Sequence, residues 1–409
     1  MIKRIKHSVA WRLKKYQVIL ESYRQRKVSH ELIILDDLFP YELSSWRFAE
    51  YNGYLRHYPT AVAYSTGDTM GYFVKETRSF LSILVEYADQ HPEMRGRVQL
   101  FHPSRWLRGK LGYVMFLRNA DRFLDVLEAN KLPFVMQLFP GGGFELNQPE
   151  SDRQLARVCN SPYLQHIIAT QSVTRDYLIA KGFCPPEKIT YIYAAVLPMA
   201  QYLNSALARP AYPVGKPTLD LCFVASKYMP EGRDKGYDLF IAAAHLLAPQ
   251  FPALRFHVVG SFGEADIPLG GLAGKIQFYG NRPTAWFVDF YVRMDAIVSP
   301  NRPFVLAPGA FDGFPTGCCL EAGAAGVAIF CTDALGQNAS FIDGEDIVLL
   351  DADAEDVARK LGAYLADPDR LQALGQATRR SIAHFYDEQA RLQDRLDVLN
   401  AQLNALNPA

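Results

Sequence analysis

Along most of the chain, short apolar runs alternate with longer segments whose apolar positions recur every three or four residues. "LIILDD" gives way to "SSWRFAEYNGYLRHY", and "TAVAYST" and "VQLFHP" follow. Further on, "NADRFLDVLEAN" precedes "PFVMQLFP", and "HIIATQS" precedes "VTRDYLIAKG" and "KITYIY". Runs of this length between amphipathic segments predict βαβ units around a parallel sheet. Its strands are covered on both faces and so lose the polar alternation of an exposed sheet.

The pattern breaks at 197–218, "LPMAQYLNSALARPAYPVGKPT", where Pro198, Pro210, Pro213 and Pro217 interrupt any period. That stretch is expected to connect two domains. Alternation then restarts with "LDLCFVAS", "GYDLFIAAAHLLAPQ", "LRFHVVGSF", "KIQFYG", "TAWFVDFYVRM" and "AIVSP", and closes with "VAIFCTD", "DIVLL" and "AEDVARKLGAYLAD". The expectation is an α/β protein of two Rossmann-like, doubly wound domains, 1–198 and 199–385. A polar helical run over 386–409 is expected to return to the first domain. Ligands of such sheets bind outside the carboxyl ends of strands, and two halves facing each other would place a site in the cleft between them.

Composition narrows the classes. The 409 residues are 49% apolar with zero formal charge, which suits a well-cored protein and gives no reason to expect a nucleic-acid partner. Cys159, Cys184, Cys222, Cys318, Cys319 and Cys331 lack paired spacing and read as reduced core thiols, neither a disulfide framework nor a zinc site. The histidines have no ligand spacing, so no metal is expected. No GxGxxG follows a strand, which argues against a nicotinamide or flavin enzyme. "GGLAGKI" at 270–276 lacks the first glycine and the hydroxyl residue of a phosphate loop. "DAD" at 351–353 reads as a helix start with Asp353 as the N-cap.

No stretch reaches the roughly 18 apolar residues of a membrane span, and no secretion signal is recognisable. The expected location is cytoplasmic, with one local reason to look further. Residues 1–27 carry nine Lys or Arg and one acid, Glu21, with Ile2, Ile5, Val9, Leu13, Tyr16 and Leu20 at helical spacing. Such a basic amphipathic helix either docks on the body of the protein or lies on an anionic membrane surface, which would make the chain peripheral on the inner face of a membrane.

The candidate chemistry is concentrated in "FDGFPTGCCLEAGAAGVAIFCTD", 311–333. A glycine-rich loop after the strand "AIVSP" leads into a helix beginning near Thr316, whose free N–H groups form an anion site. Asp312 stands at the loop entrance and Glu321 lies about one turn into the helix. Two acids around an anion site suit a nucleoside diphosphate attached to a sugar: phosphate on the amides, hydroxyl groups on the carboxylates.

The same run resembles the acid–Gly-Phe…Glu-Ala…Gly-Val signature of family 4 glycosyltransferases, enzymes of the two-domain GT-B architecture. "FVASKYMPEGRDKGYDLFIAAA" is similar to the segment where the family's basic residue and Lys-Gly pair reach the donor diphosphate. "FHVVG", "IQFYGN" and "DAIVSPN" follow in the family's order. Three departures stand out. Asp312 replaces the usual glutamate, with eight residues rather than the usual seven before Glu321. Lys227 or Arg233 stands where arginine is common. Phe139-Pro140-Gly141-Gly142-Gly143 stands where a histidine often ends the strand.

The resemblance implies a retaining, metal-independent hexosyltransferase without a cofactor, taking a nucleoside-diphosphate sugar as donor. Lys227, Arg233, Lys235 and Gly236 would serve the diphosphate together with Gly260, Gly313, Phe314, Pro315, Thr316, Gly317 and Cys318. Asp312 would hold sugar hydroxyls and Glu321 ribose hydroxyls, while Gly141, Gly142 and Gly143 would line an acceptor or sugar pocket. The implied acceptor is a sugar or lipid-linked sugar in bacterial-type surface polysaccharide or glycolipid synthesis. A nucleotide-sugar epimerase and a non-catalytic nucleotide-sugar-binding protein are the rival expectations.

Overall fold

The computed structural model describes residues 2–25, 28–42, 45–69, 78–102, 106–193, 195–206 and 209–406, with side chains from Leu13 onward. It divides into two compact units: one of residues 1–144, 149–196 and 391–409, the other of 145–148 and 197–390. Each is built on one parallel sheet.

The first unit holds strands β1 His30–Asp36, β2 Val62–Ser65, β3 Val98–Leu100, β4 Gly109–Met115, β5 Phe134–Leu138, β6 Leu164–Ala169 and β7 Ile189–Tyr191. Their order is β3-β2-β1-β4-β5-β6-β7, so the winding reverses between β1 and β4. Leu32, Ile34, Leu111, Tyr113, Val135 and Ile168 form the sheet's share of the core. The strand β4 and the helix Phe80–Gln90 were not foreseen from the sequence. Gly109, Lys110 and Gly112 disguise β4, and only Phe116, at φ 73°, separates it from the helix Leu117–Ala129.

The helical run expected over 386–409 is the helix Glu388–Leu406, and a break at 386–387 separates it from the preceding helix Pro368–Phe385. The break at 386–387 is stabilised by the Asp387 carboxylate, which accepts from Ala390 N at 2.8 Å. The second helix packs Leu396 and Leu399 into the first unit's core. It also buries Arg395 completely against Glu50 at 3.1 Å and Gln137 at 2.9 Å. The return of the terminal helix to the first domain is thus fixed by an ion pair as well as by apolar contact.

The second unit holds β8 Leu219–Val224, β9 Leu254–Val259, β10 Ile276–Phe278, β11 Ala296–Ser299, β12 Ala328–Thr332 and β13 Val348–Leu350, in the order β10-β9-β8-β11-β12-β13. The winding reverses between β8 and β11. Residues 197–218, expected as a connection, belong to this unit: they contain the helix Ala200–Ser205, and Tyr202 is fully buried. The four prolines hid a helix of only six residues. Asp353 caps the helix Ala354–Leu365, accepting from Glu355 N and Asp356 N.

At the base of this sheet Asp220 accepts from Lys216 (2.8 Å), Thr218 (2.8 Å) and His257 (2.8 Å). Lys216 also reaches Asp295 at 2.7 Å. Burial alone would raise the Asp220 pKa, but these donors outweigh it and bring the carboxyl down to about 2.

Candidate functional site

In a doubly wound sheet the loops leaving two neighbouring strands in opposite directions open a crevice at the strands' carboxyl ends. In the second unit those strands are β8 and β11, and both loops carry predicted site residues.

The loop after β8 runs through a 3-10 segment, Pro230–Lys235, in which Glu231 and Gly232 adopt positive φ. It ends at Gly236, at φ 72°, where an added Cβ would lie 2.1 Å from the Pro300 carbonyl oxygen. Only glycine lets the two loops approach this closely, so the Lys-Gly pair is set by backbone packing at the switch point.

That approach delivers Lys235 to the loop after β11. Its Nζ donates to both Asp312 oxygens, at 2.6 and 2.7 Å, and lies 3.8 Å from Asp234 and 5.2 Å from the centre of the Tyr228 ring. Burial works against the charge on Lys235, but Asp312 and then Asp234 outweigh it and raise its pKa. Asp234 is buried, and burial pushes its own pKa up.

Asp312 is held from two further directions. Asn301 Nδ2 donates to its Oδ2 at 2.8 Å, Gln337 Nε2 donates to its carbonyl at 3.0 Å, and the side chain remains 36% exposed. Asp312, Gly313, Phe314, Pro315 and Thr316 line a cavity of ≈ 30 Å³ together with Ser299, Asn301, Thr332 and Gln337. Thr316 is the N-cap of the helix Gly317–Ala324 and Gly317 is exposed. Contact with Cys319, together with burial, holds the Cys318 thiol well above its ordinary pKa, so it is a neutral packing group.

Other predicted residues lie apart from this cluster. Lys227 pairs with Asp266, and Arg233 pairs with Glu231 at 3.0 Å. Gly260 follows β9 and backs onto the Ala225 carbonyl. Glu321 is not among the cavity's lining residues. Its charge is felt by the buried Tyr202 and Tyr291 hydroxyls, placing it on the helix face turned to Ala200–Ser205 and Thr284–Tyr291. Sequence reasoning missed Tyr228, Asp234, Asn301 and Gln337; Asn301 alone had a signal, as the residue closing "DAIVSPN".

In the first unit, Gly141, Gly142 and Gly143 follow β5, all at positive φ. Gly142 abuts Phe116, leaving no room for a Cβ, and its carbonyl accepts from Arg118 N at 2.8 Å. After β1, Asp37 accepts from Arg47 (2.9 Å), Thr69 (2.5 Å) and Asn119 (3.1 Å). Among the described residues, no group of three or more His, Cys, Asp or Glu is placed to hold a metal ion.

Two doubly wound parallel sheets, one in each unit, are the Rossmann-like halves of the GT-B architecture. Residues 238–397 match the family described as "Glycosyl transferase-like". Over 309 residues the chain is 24% identical to a D-inositol 3-phosphate glycosyltransferase of Thermobispora bispora, covering 71% of this chain and 68% of the relative. Anabaena Alr3699/HepE, solved in complex with UDP, superposes with a TM-score of 0.67 at 17% identity, covering 91% of this chain and 100% of that one. Sucrose-phosphate synthase from Thermosynechococcus elongatus gives 0.62 at 13% identity, covering 92% and 100%. The chain is a glycosyltransferase of GT-B architecture whose second half carries the glycosyl transferase-like family's sequence.

Proposed function

We propose that the protein transfers a hexose from a nucleoside-diphosphate sugar to an acceptor hydroxyl with retention of configuration and without a metal or other cofactor. The observation that carries this reading is the Lys235–Asp312 pair at the β8/β11 switch point, beside the start of the helix Gly317–Ala324. A half-buried cation beside a helix N-terminus suits a leaving diphosphate, whose charge grows as glycosyl transfer passes through an oxocarbenium-like state. Asp312 accepts sugar hydroxyls, Glu321 accepts ribose hydroxyls, and Lys227 and Arg233 supply longer-range positive charge. The acceptor falls to the first unit, at Gly141–Gly143 and the loops after β1 and β4. HepE has been solved with UDP and glucose and with UDP-glucose, which makes UDP-glucose the first donor to try.

The acceptor we favour is a sugar or lipid-linked sugar of a surface polysaccharide or glycolipid, handled at the inner face of a membrane. Among the described residues no helix is long and apolar enough to cross a membrane. In the helix Ile2–Gln25, however, Leu13, Tyr16, Leu20 and Tyr23 are exposed along one stripe, while Val18 packs into the unit and Lys14 bonds Asp89. The side chains of Ile2, Ile5 and Val9 lie outside the described residues. Docking and membrane contact are therefore served by different faces of one helix. Co-sedimentation with anionic but not neutral vesicles at low salt is the expected result, and equal recovery in both would remove the membrane from the proposal.

The test of the donor reading is a thermal-shift panel of UDP, GDP, ADP, CMP and dTDP, with and without magnesium, on wild type and Glu321→Ala. A ligand at about 100 times its Kd stabilises the native state by roughly 2.7 kcal/mol. One nucleotide should stabilise the wild type, needing no metal, and stabilise the variant less. If none of them shifts the melting point, the reading fails. Incubation of the matching nucleotide sugar without acceptor tests the epimerase alternative, which requires an isomerised donor.

A further inference from the structure

We infer that the side-chain carbonyl of Gln337 reads a hydroxyl group of the transferred sugar; this rests on the donor reading above. Gln337 lies beyond β12, where the Asp333 carboxylate accepts from Gln337 N at 2.8 Å and from Asn338 N at 2.9 Å. That clamp fixes the backbone, and the residue is only 5% exposed.

The orientation of the amide is set by chemistry. Nε2 donates to the Asp312 carbonyl at 3.0 Å, and a flipped amide would set oxygen against oxygen. Oε1 is therefore turned away from that carbonyl. It is buried and, among the described residues, has no protein donor, and Gln337 forms part of the wall of the ≈ 30 Å³ cavity shared with Asp312, Thr316, Ser299 and Thr332. A space of that size admits about two waters or one hydroxyl-bearing carbon.

An amide oxygen only accepts. A phosphate, which also accepts, cannot satisfy it, so the complementary ligand group is an O–H or N–H. The neighbouring Asp312 is a second acceptor on the same loop. Two acceptors on the wall of a small cavity, beside the lysine proposed to meet the diphosphate, suit the hydroxyl-rich end of a nucleotide sugar. Gln337 thus has two jobs: its nitrogen ties down the loop that carries Asp312, and its oxygen selects for a hydroxyl.

The experiment compares Kd values of UDP with UDP-glucose, GDP with GDP-mannose and ADP with ADP-glucose, for wild type and Gln337→Met, by calorimetry. Methionine keeps the length and removes both the acceptor and the Nε2 donor that ties the loop, so comparison with a monodeoxy sugar isolates the acceptor. For the pair that binds, the bare nucleotide should bind both proteins within about twofold, while the variant should bind the nucleotide sugar about tenfold more weakly than wild type. One monodeoxy analogue of that sugar should bind both proteins alike. Equal weakening of nucleotide and nucleotide sugar would reduce Gln337 to a loop tie and overturn the inference, as would no change in either. If wild type binds none of the six, the donor reading itself falls. Gln337→Ala repeats the comparison should methionine disturb packing, with its melting curve as the check on folding.

Discussion

Replacing Lys235 with methionine keeps most of the apolar stem and removes the charge that two carboxylates share. At 3.8 Å from Asp234, and at an effective dielectric constant of about 20, the gross attraction is about 4 kcal/mol. Desolvation of the buried lysine offsets much of that, and the Asp312 contact is discounted because that carboxylate is 36% exposed. The net loss expected at about pH 7 is about 2 kcal/mol. The sign of the pH dependence follows from Asp234. Burial already raises its carboxyl above the ordinary value of 3.8, and without Lys235 it rises further. An acid whose folded pKa is raised destabilises the fold at high pH and stops doing so once it binds its proton. The gap between wild type and Lys235→Met should therefore shrink as the pH falls from neutral towards the ordinary carboxylate range. Urea unfolding followed through Trp286, which lies in the second unit, measures it. Calorimetry should show UDP affinity down by about a hundredfold, the loss of a charge-assisted contact. A pH-independent gap would refute the assignment of Asp234 as a partner of Lys235. Unchanged UDP affinity would refute the donor role.

Two further predictions concern stability. Arg395→Met strands the buried Glu50 and should cost about 3–5 kcal/mol in the first unit's unfolding transition, with the double variant Glu50→Gln/Arg395→Met recovering part of the loss. Equal stability of the single and double variants would show that the charge is not the cause. Asp220, with its pKa brought down to about 2 from 3.8, stabilises the fold above about pH 4 by about 2 kcal/mol and loses that contribution as the pH falls through 2. The stability advantage of wild type over Asp220→Asn, followed by melting temperature, should fade over that window.

The parallel sheets were legible because buried strands leave uninterrupted apolar runs, as in "AIVSP" and "VAIFCTD". Where glycine and lysine diluted the run, as in β4, the strand escaped notice. The Asp312 loop was legible because its glycines and following helix start carry a local signature. Its surroundings were not. Gln337 is 25 residues away from Asp312 and Lys235 is 77 residues away, and each meets it only through the order of β8, β11 and β12. Pairwise contacts of that kind arise from strand order, which no local pattern encodes. Asp234 sits beside Lys235 in the chain, yet its importance lies in its burial, and burial is a property of the fold.

The substitution of aspartate for the family's glutamate is the departure most in need of a physical account, and the geometry supplies one. Asp312 does not depend on reach. Its carbonyl is pinned by Gln337, and its carboxylate is oriented by Asn301 and Lys235, so a shorter side chain is held where it can act. Each carboxylate oxygen has about two acceptor sites. Among the described residues Oδ1 receives only Lys235, so it can still take a sugar hydroxyl without breaking the ion pair. Asp312→Asn separates the two roles. It keeps the shape, frees Lys235 from the nearer of its two counter-charges and removes the strong acceptor. UDP should then bind as tightly as to wild type or more tightly, while transfer from the donor sugar falls by about a hundredfold or more. Lys235→Met should do the opposite to UDP. If Asp312→Asn instead loses UDP as Lys235→Met does, the two residues act as one structural clasp, and Asp312 is not the group that holds the sugar.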